Sequence, residues 1–275
     1  MKRYKQSPLP FQGQKRNFVK PLENILKEEF TGKTLFVDLF GGSGLLSHTV
    51  KRVRPDARVI YNDFDNFAER LEATETTNSL LAGLRRMVTA ERNKRISEVE
   101  KEAIIHFLEE REKDCIFIDW QTIGAALLFS GKTATTLAQL KKHSFYNGIP
   151  LKTYTADGYL DGLERESADY RTIYEKYRNE KNVVFLVDPP YLSTDTSSYK
   201  NCDYWKLKDY LEILNVLKGS SFFFFTSNKS SLVELCEWMD VTFRDAGFLC
   251  ETKMLTHKTG INKTAGYTDI MLYRE

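Results

Sequence analysis

The chain has few of the residues that staple or interrupt a fold: of its 275 residues, four are cysteine and seven are proline. Cys115, Cys202, Cys236 and Cys250 stand far apart and form no Cys-x-x-Cys pair, which excludes a disulfide framework and a zinc site and points to a reducing, cytoplasmic setting. No apolar run approaches the length of a membrane span, and Met1 to Pro10 lacks the apolar core of a signal peptide, so no membrane association is expected. The glycine turn Gly41-Gly42-Ser43-Gly44 is not Gly-x-Gly-x-x-Gly and lacks the Gly-Lys-Ser/Thr of a phosphate loop, which argues against a dinucleotide pyrophosphate and against ATP. Repeats, low-complexity tracts and Gly/Ser linkers are absent.

What is present describes an ordinary globular chain, 41% hydrophobic and 28% charged, long enough for one large domain with an insertion or for two domains. The net charge of +2 says little, but its distribution is uneven. Met1 to Leu22 carries six Lys/Arg and no acid, Gly131 to Ala156 four lysines and no acid, and Thr252 to Thr268 three lysines and His257 with no acid. Three such stretches suit a phosphate-binding face, although a solvated surface explains any one of them as well.

The pattern is organised around Asp188-Pro189-Pro190-Tyr191, which follows the apolar run Val183 to Val187. Two prolines stop that run, so it reads as a buried parallel strand with the tetrapeptide at its carboxyl end, where open α/β sheets bind ligands. The Asp188 carboxylate and the Pro189 carbonyl are two acceptors, Pro190 stiffens the corner, and Tyr191 supplies a flat face. Together they suit the planar exocyclic amine of an extruded adenine or cytosine, and they are the candidate catalytic residues.

Upstream, Thr34 to Asp38 reads as a strand and Leu45 to Arg52 as a helix, joined by a glycine turn. Asp38, Phe40, Gly41, Gly42, Ser43 and Gly44 are candidate cofactor contacts, the turn amides suiting the carboxylate of an amino-acid moiety. A second strand, Arg58 to Asp63, ends about twenty residues after the glycines, where an acid characteristically accepts ribose hydroxyls. Asp63 is the candidate; Asp65 is a rival that reads equally well as the N-cap of a helix from Phe67. Phe11, Gly13 and Lys15, in a basic lead-in before a helix over 17–30, could close one side of a small-molecule pocket.

Helical periodicity then dominates: helices are expected over 67–84, 97–113 and 123–130. Asn147-Gly148 between aromatic segments predicts a β-hairpin near 143–154, with Lys141, Lys142, His143, Tyr146, Asn147 and Lys152 as candidate nucleic-acid contacts. About a hundred residues separate the second strand from the third, far more than one helix needs, so an inserted subdomain over 67–162 is inferred. The core pattern resumes with a strand over 163–170, adjacent to the strand that ends at Asp188. Asp169 and Tyr170 at its end are candidates for holding a cofactor adenine. The polar stretch 192–200 reads as a lid, and a helix is expected over 204–217. Strands near 221–228, 248–255 and 267–273 bring the sheet to about seven. The last two are joined by a basic loop over 256–266, in which Asn262 and Lys263 are further candidate nucleic-acid contacts.

Aromatic-Gly-Lys, Asp-Leu-Phe-Gly-Gly-Ser-Gly, Asn62-Asp63, a long insertion, Asp169-Tyr170 and Asp188-Pro189-Pro190-Tyr191 follow one another along nearly the whole chain. In that order they resemble the adenine-specific DNA methyltransferases of the Dam type, the alpha group. The resemblance is strongest at Phe36 to Gly44 and Phe185 to Tyr191. It implies an α/β fold, a Rossmann-like seven-stranded sheet with an antiparallel final strand. Residues 1–66 and 163–275 would form the catalytic domain, and 67–162 a mostly helical target-recognition subdomain. It also implies S-adenosylmethionine as methyl donor and double-stranded DNA as partner, and it leaves room for a cognate restriction endonuclease. By position, Phe11 stands where the family commonly has tryptophan, and Lys15, Asp63 and Asp188 fall on its lysine, its acidic cofactor residue and its catalytic residue. Gln12 and Gln14 depart from the small residues usual beside them. The expected activity is methyl transfer to adenine N6; the alternatives are cytosine N4 and a DNA-binding relative without turnover.

Overall fold

The computed structural model describes residues 1–129, 131–190, 207–230, 232–242, 251–260 and 266–275. Among these, seven strands form one sheet: β1 (Leu35–Asp38), β2 (Arg58–Asn62), β3 (Glu164–Glu166), β4 (Val183–Val187), β5 (Ser221–Ser227), β6 (Lys253–Gly260) and β7 (Gly266–Arg274). Their spatial order is β3-β2-β1-β4-β5-β7-β6. The first five pair in parallel, whereas β7 runs antiparallel to both β5 and β6. This is an α/β fold with the Rossmann-like sheet and antiparallel final strand expected of a methyltransferase. Because the chain winds outward from β1 through β2 and β3 and then returns to β4, the strand order reverses between β1 and β4. A reversal of that kind opens a crevice at the strands' carboxyl ends.

The central strands are continuous apolar runs because both sheet faces are covered. On one face lie α1 (Val19–Glu28) and α2 (Leu45–Val53), whose Leu22, Leu26, Leu46 and Val50 pack with Phe36, Val184, Leu186 and Phe223. Phe30, just past α1, places its ring 4.6 Å from that of Phe223. On the other face, α8 (Tyr170–Tyr177), α9 (Leu207–Leu217) and α10 (Leu232–Thr242) bring Ile173, Leu214 and Leu232 against Val37, Phe185 and Phe224. Each buried phenylalanine or leucine contributes about 1.5–3 kcal/mol, and this fixes the strand ends that carry the polar groups.

The chain divides into two compact units: residues 1–6, 14–65 and 160–275, which contain the sheet, and residues 7–13 with 66–159. The second unit contains α3 (Phe67–Glu72), α4 (Thr74–Met87), α5 (Glu98–Asp114), α6 (Trp120–Leu127) and α7 (Leu137–Lys141) around Leu80, Leu84, Ile104, Leu108, Ile123 and Phe145. Residues 7–13 belong to it because Arg70 donates to the Pro10 carbonyl at 2.8 Å and Phe11 packs edge-on against Phe67. Arg70 is buried and also donates to Asp119 at 2.9 Å, an ion pair sealed by Gln121 and Thr122.

Several expectations are corrected. The helix over 67–84 is two helices that break at Ala73, where the Thr74 hydroxyl donates to the Leu71 carbonyl. Asp65 is not the cap of α3; Asn66 holds that position in the left-handed region, with φ of 56°. The expected hairpin near 143–154 does not form. Asn147 and Gly148 are not among the positive-φ residues that a tight hairpin turn demands, and the segment bonds outward to Lys94 and Ala126 instead of folding on itself. The third strand is three residues long, pairs with β2 at the sheet edge, and does not adjoin β4. Part of the expected basic loop over 256–266 is strand, since β6 and β7 pair from Lys253 with Tyr273 to Gly260 with Gly266. The expected lid over 192–200 lies outside the described residues.

Candidate active site

The reversal in strand order puts two carboxylates side by side. Asp38 ends β1, and Asp188 follows β4, its neighbour in the sheet. Asp38 is fully buried; Ser47 on α2 donates to its Oδ2 at 2.6 Å, and among the described residues its Oδ1 has no hydrogen-bond partner. Burial pushes its carboxyl up to about 7, against the Ser47 hydrogen bond and with the help of the neighbouring Asp188 charge. A buried, half-satisfied carboxylate is costly unless a cation or donor comes to it.

The Asp188 carboxyl is also raised by burial, opposed by Lys15 and reinforced by Asp269. Lys15 Nζ lies 2.7 Å from Asp188 Oδ2, and only 8% of the lysine side chain is exposed. A 3₁₀ turn, Arg16–Phe18, holds this lysine: the Phe18 amide donates to the Lys15 carbonyl at 2.9 Å, and the buried Phe18 ring packs on Phe225. Beyond Asp188 the proline corner is clamped by buried Tyr210, whose hydroxyl donates to the Pro190 carbonyl. Tyr191 lies outside the described residues.

The glycine turn lies between β1 and α2. The Gly44 amide bonds the Gly41 carbonyl at 2.7 Å, and Gly44 has φ of 72°, a conformation that strains any residue with a side chain. Gly41 has a steric reason of its own: a Cβ there would collide with the Tyr61 ring and lie 2.6 Å from the Asn62 carbonyl. Tyr61 is buried, and its hydroxyl lies 2.8 Å from the Gly42 carbonyl and 3.1 Å from Asp63 Oδ1. Asn62 ties β1 to the segment after β3 by donating to the Leu39 and Ala168 carbonyls, while the Ala168 amide donates to it. Asp63, also buried, is therefore fixed at the end of β2, with its amide on the Glu166 carbonyl at 2.7 Å.

Asp38, Asp188 and Lys15 are thus brought together, as are the turn residues Gly41 to Gly44 with Asp63 through Tyr61. Phe40 meets Tyr170 with ring centroids 5.0 Å apart. Asp169 caps α8, accepting from the Arg171 amide at 2.9 Å, instead of ending a strand beside β4. Phe11 and Gly13 belong to the second unit. Of the candidate nucleic-acid contacts, Lys142 and Lys152 are exposed, Lys141 is paired with Glu109, and Asn147 Nδ2 donates to the Ala90 carbonyl. Asn262 and Lys263 lie outside the described residues. Sequence reasoning missed Tyr61, Tyr210 and Asp269; the last lies opposite Ser227 in the sheet and accepts from Thr259 at 2.8 Å. Only the aromatic before Asn62-Asp63 left a signal, since the roles of the others depend on pairing across the sheet.

Among the described residues no helix is long and apolar enough to cross a membrane. The family model for D12 class N6 adenine-specific DNA methyltransferases matches residues 11–222. A Haemophilus influenzae protein named "Putative methyltransferase" is 37% identical over 280 residues, spanning 99% of this chain and 93% of that protein.

Proposed function

The chain belongs to the D12 class N6 adenine-specific DNA methyltransferase family and methylates adenine N6 in DNA, and from that premise we propose which donor it uses and which residues do the work. The donor is S-adenosylmethionine, which brings an already activated methyl group on a sulfonium. Two features of the chain fit it: the unpartnered Oδ1 of buried Asp38 suits an ammonium, and the Gly41 to Gly44 turn offers backbone amides to a carboxylate. Asp63 would take the ribose hydroxyls, and Phe40, Asp169 and Tyr170 the adenine ring.

An adenine amine is a weak nucleophile because its lone pair is delocalised into the ring. The protein's task is therefore to position that amine and stabilise the positive charge that grows on it. Asp188 and the Pro189 carbonyl accept the two N–H bonds, which favours a pyramidal nitrogen. Lys15 opposes the effect of burial on Asp188 and so favours the anionic form, which accepts hydrogen bonds. Tyr191 stacks on the extruded base, which offsets about 1–3 kcal/mol of an extrusion that costs a few. Lys142, His143, Tyr146 and Lys152 contact the duplex.

The observation that carries this reading is the pairing of the Asp188 carboxylate with a buried lysine at the strand reversal, beside a second carboxylate that lacks a partner for one of its oxygens. Asp188→Ala is expected to lower transfer of labelled methyl groups to DNA at least a thousandfold while leaving S-adenosylmethionine affinity within a few-fold, as read by calorimetry. Near-normal turnover in that variant would remove Asp188 from the mechanism.

A further inference from the structure

Arg171 makes contacts that the catalytic reading leaves unused. It stands one position after Asp169 and Tyr170, in the first turn of α8, and three carboxylates from two elements meet its guanidinium. On its own side, Asp169 Oδ1 accepts from the Arg171 amide at 2.9 Å and Asp169 Oδ2 lies 3.4 Å from Nη1. From α9, Glu212 Oε2 accepts from Nε at 2.5 Å, and Asp209 Oδ1 accepts from Nη2. The guanidinium carbon sits 4.8 Å from the centre of the Tyr170 ring. Tyr170 in turn donates its hydroxyl to the Asp209 carbonyl at 3.4 Å.

The residue after Asp209 is Tyr210, whose hydroxyl donates to the Pro190 carbonyl. Asp209 and Tyr210 are both buried and share one turn of helix, so neither backbone moves without the other. A line of direct bonds therefore runs from Asp169 through Arg171, Asp209 and Tyr210 to the proline corner that follows Asp188. Ile173 of α8 and Ile213 and Leu214 of α9 belong to one buried apolar cluster beneath it. A planar fork that bonds carboxylates on two elements fixes their relative placement, which a point charge does not.

We propose that Arg171 is a positioning residue of the methyl transfer: through Asp209 and Tyr210 it holds the Asp188 corner in register with the pocket for the cofactor's adenine. The inference rests on that pocket lying at Asp169 and Tyr170. An in-line transfer tolerates little misplacement between amine and methyl group, and about 1 Å of it can cost about a hundredfold in rate. Untying α9 from Arg171 therefore slows transfer even when cofactor is saturating, whereas a residue that only held the cofactor would change KM alone.

The test is steady-state methyl transfer to DNA by the full chain at saturating cofactor. Arg171→Lys keeps the charge without the fork, and Asp209→Ala/Glu212→Ala removes both α9 acids while leaving Arg171 its Asp169 partner. Each should lower kcat about tenfold. Tyr210→Phe breaks the same line at its far end, so adding it to either should lower kcat little further, whereas independent effects multiply. Melting temperatures recorded alongside show that the proteins compared are folded. An unchanged kcat in Arg171→Lys and in the α9 variant, or losses that multiply when Tyr210→Phe is added, would overturn the proposal. Asp169→Ala separates this from failure of the adenine reading: a cofactor KM unchanged there rejects that reading, while the kcat comparison judges the linkage by itself.

Discussion

Replacing Asp38 by asparagine should shift the stability of the cofactor-free protein increasingly in the variant's favour as the pH rises. Asp38 is fully buried, with a carboxyl raised from 3.8 to about 7. A group whose folded pKa lies above its unfolded one favours the folded state when protonated. Its destabilising effect is therefore absent below the unfolded value, grows between the two, and is complete above the folded one. At about 1.36 kcal/mol per unit, the part of that interval below pH 5.5 costs roughly 2 kcal/mol, and the full interval costs roughly 4. The stability difference between Asp38→Asn and wild type should thus grow by about 2 kcal/mol from pH 5.5 to pH 8. The new amide lacks a partner where Oδ1 lacked one, a penalty of about 1–3 kcal/mol that offsets the gain equally at both pH values. Urea unfolding of both proteins at the two pH values, with cofactor removed, measures the change. A difference independent of pH would show that Asp38 is not a strained carboxylate. The same variant should bind S-adenosylmethionine more weakly, since the strained group is the one proposed to meet its ammonium.

Gly41→Ala must displace the Tyr61 ring or the Asn62 carbonyl, which costs about 1–3 kcal/mol and lowers the melting temperature by several degrees; an unchanged melt would contradict the close approach. Tyr210→Phe removes the hydroxyl that clamps the Pro190 carbonyl, so stability should fall by about 1 kcal/mol while kcat falls and cofactor affinity holds. An equal loss of cofactor affinity would show that the tyrosine acts elsewhere. In the second unit, Arg70→Met strands Asp119 as an unpaired buried acid and should cost about 3–5 kcal/mol in urea titration, with much of it restored in Arg70→Met/Asp119→Leu. A double variant no more stable than the single one would refute the charge argument.

The parts of this protein legible in its sequence are those that depend on local order. Val183 to Val187 and Phe222 to Phe225 read as central strands because a buried parallel sheet needs unbroken apolar runs, and the glycine turn read as a strand-to-helix joint. The family was legible for the same reason: its motifs are short and keep their order. Pairing was not legible. Residues 164–166 are as polar as a loop, Glu-Arg-Glu, and only their bonds to β2 make them a strand. Asn147-Gly148 has the composition of a hairpin turn, yet the segment extends between residues 92–96 and the end of α6, and these offer its backbone partners that a hairpin would have supplied internally. Lys15 beside Asp188 joins residues far apart in the chain, and spacing alone could not reveal that contact.

The central claim is that Asp188 presents an adenine amine to a methyl donor. Undermethylated DNA incubated with S-adenosylmethionine and either wild-type protein or Asp188→Ala can be digested to nucleosides and separated by mass spectrometry. The account predicts N6-methyladenine with the wild type alone; N4-methylcytosine, or N6-methyladenine at equal yield from both proteins, would contradict it.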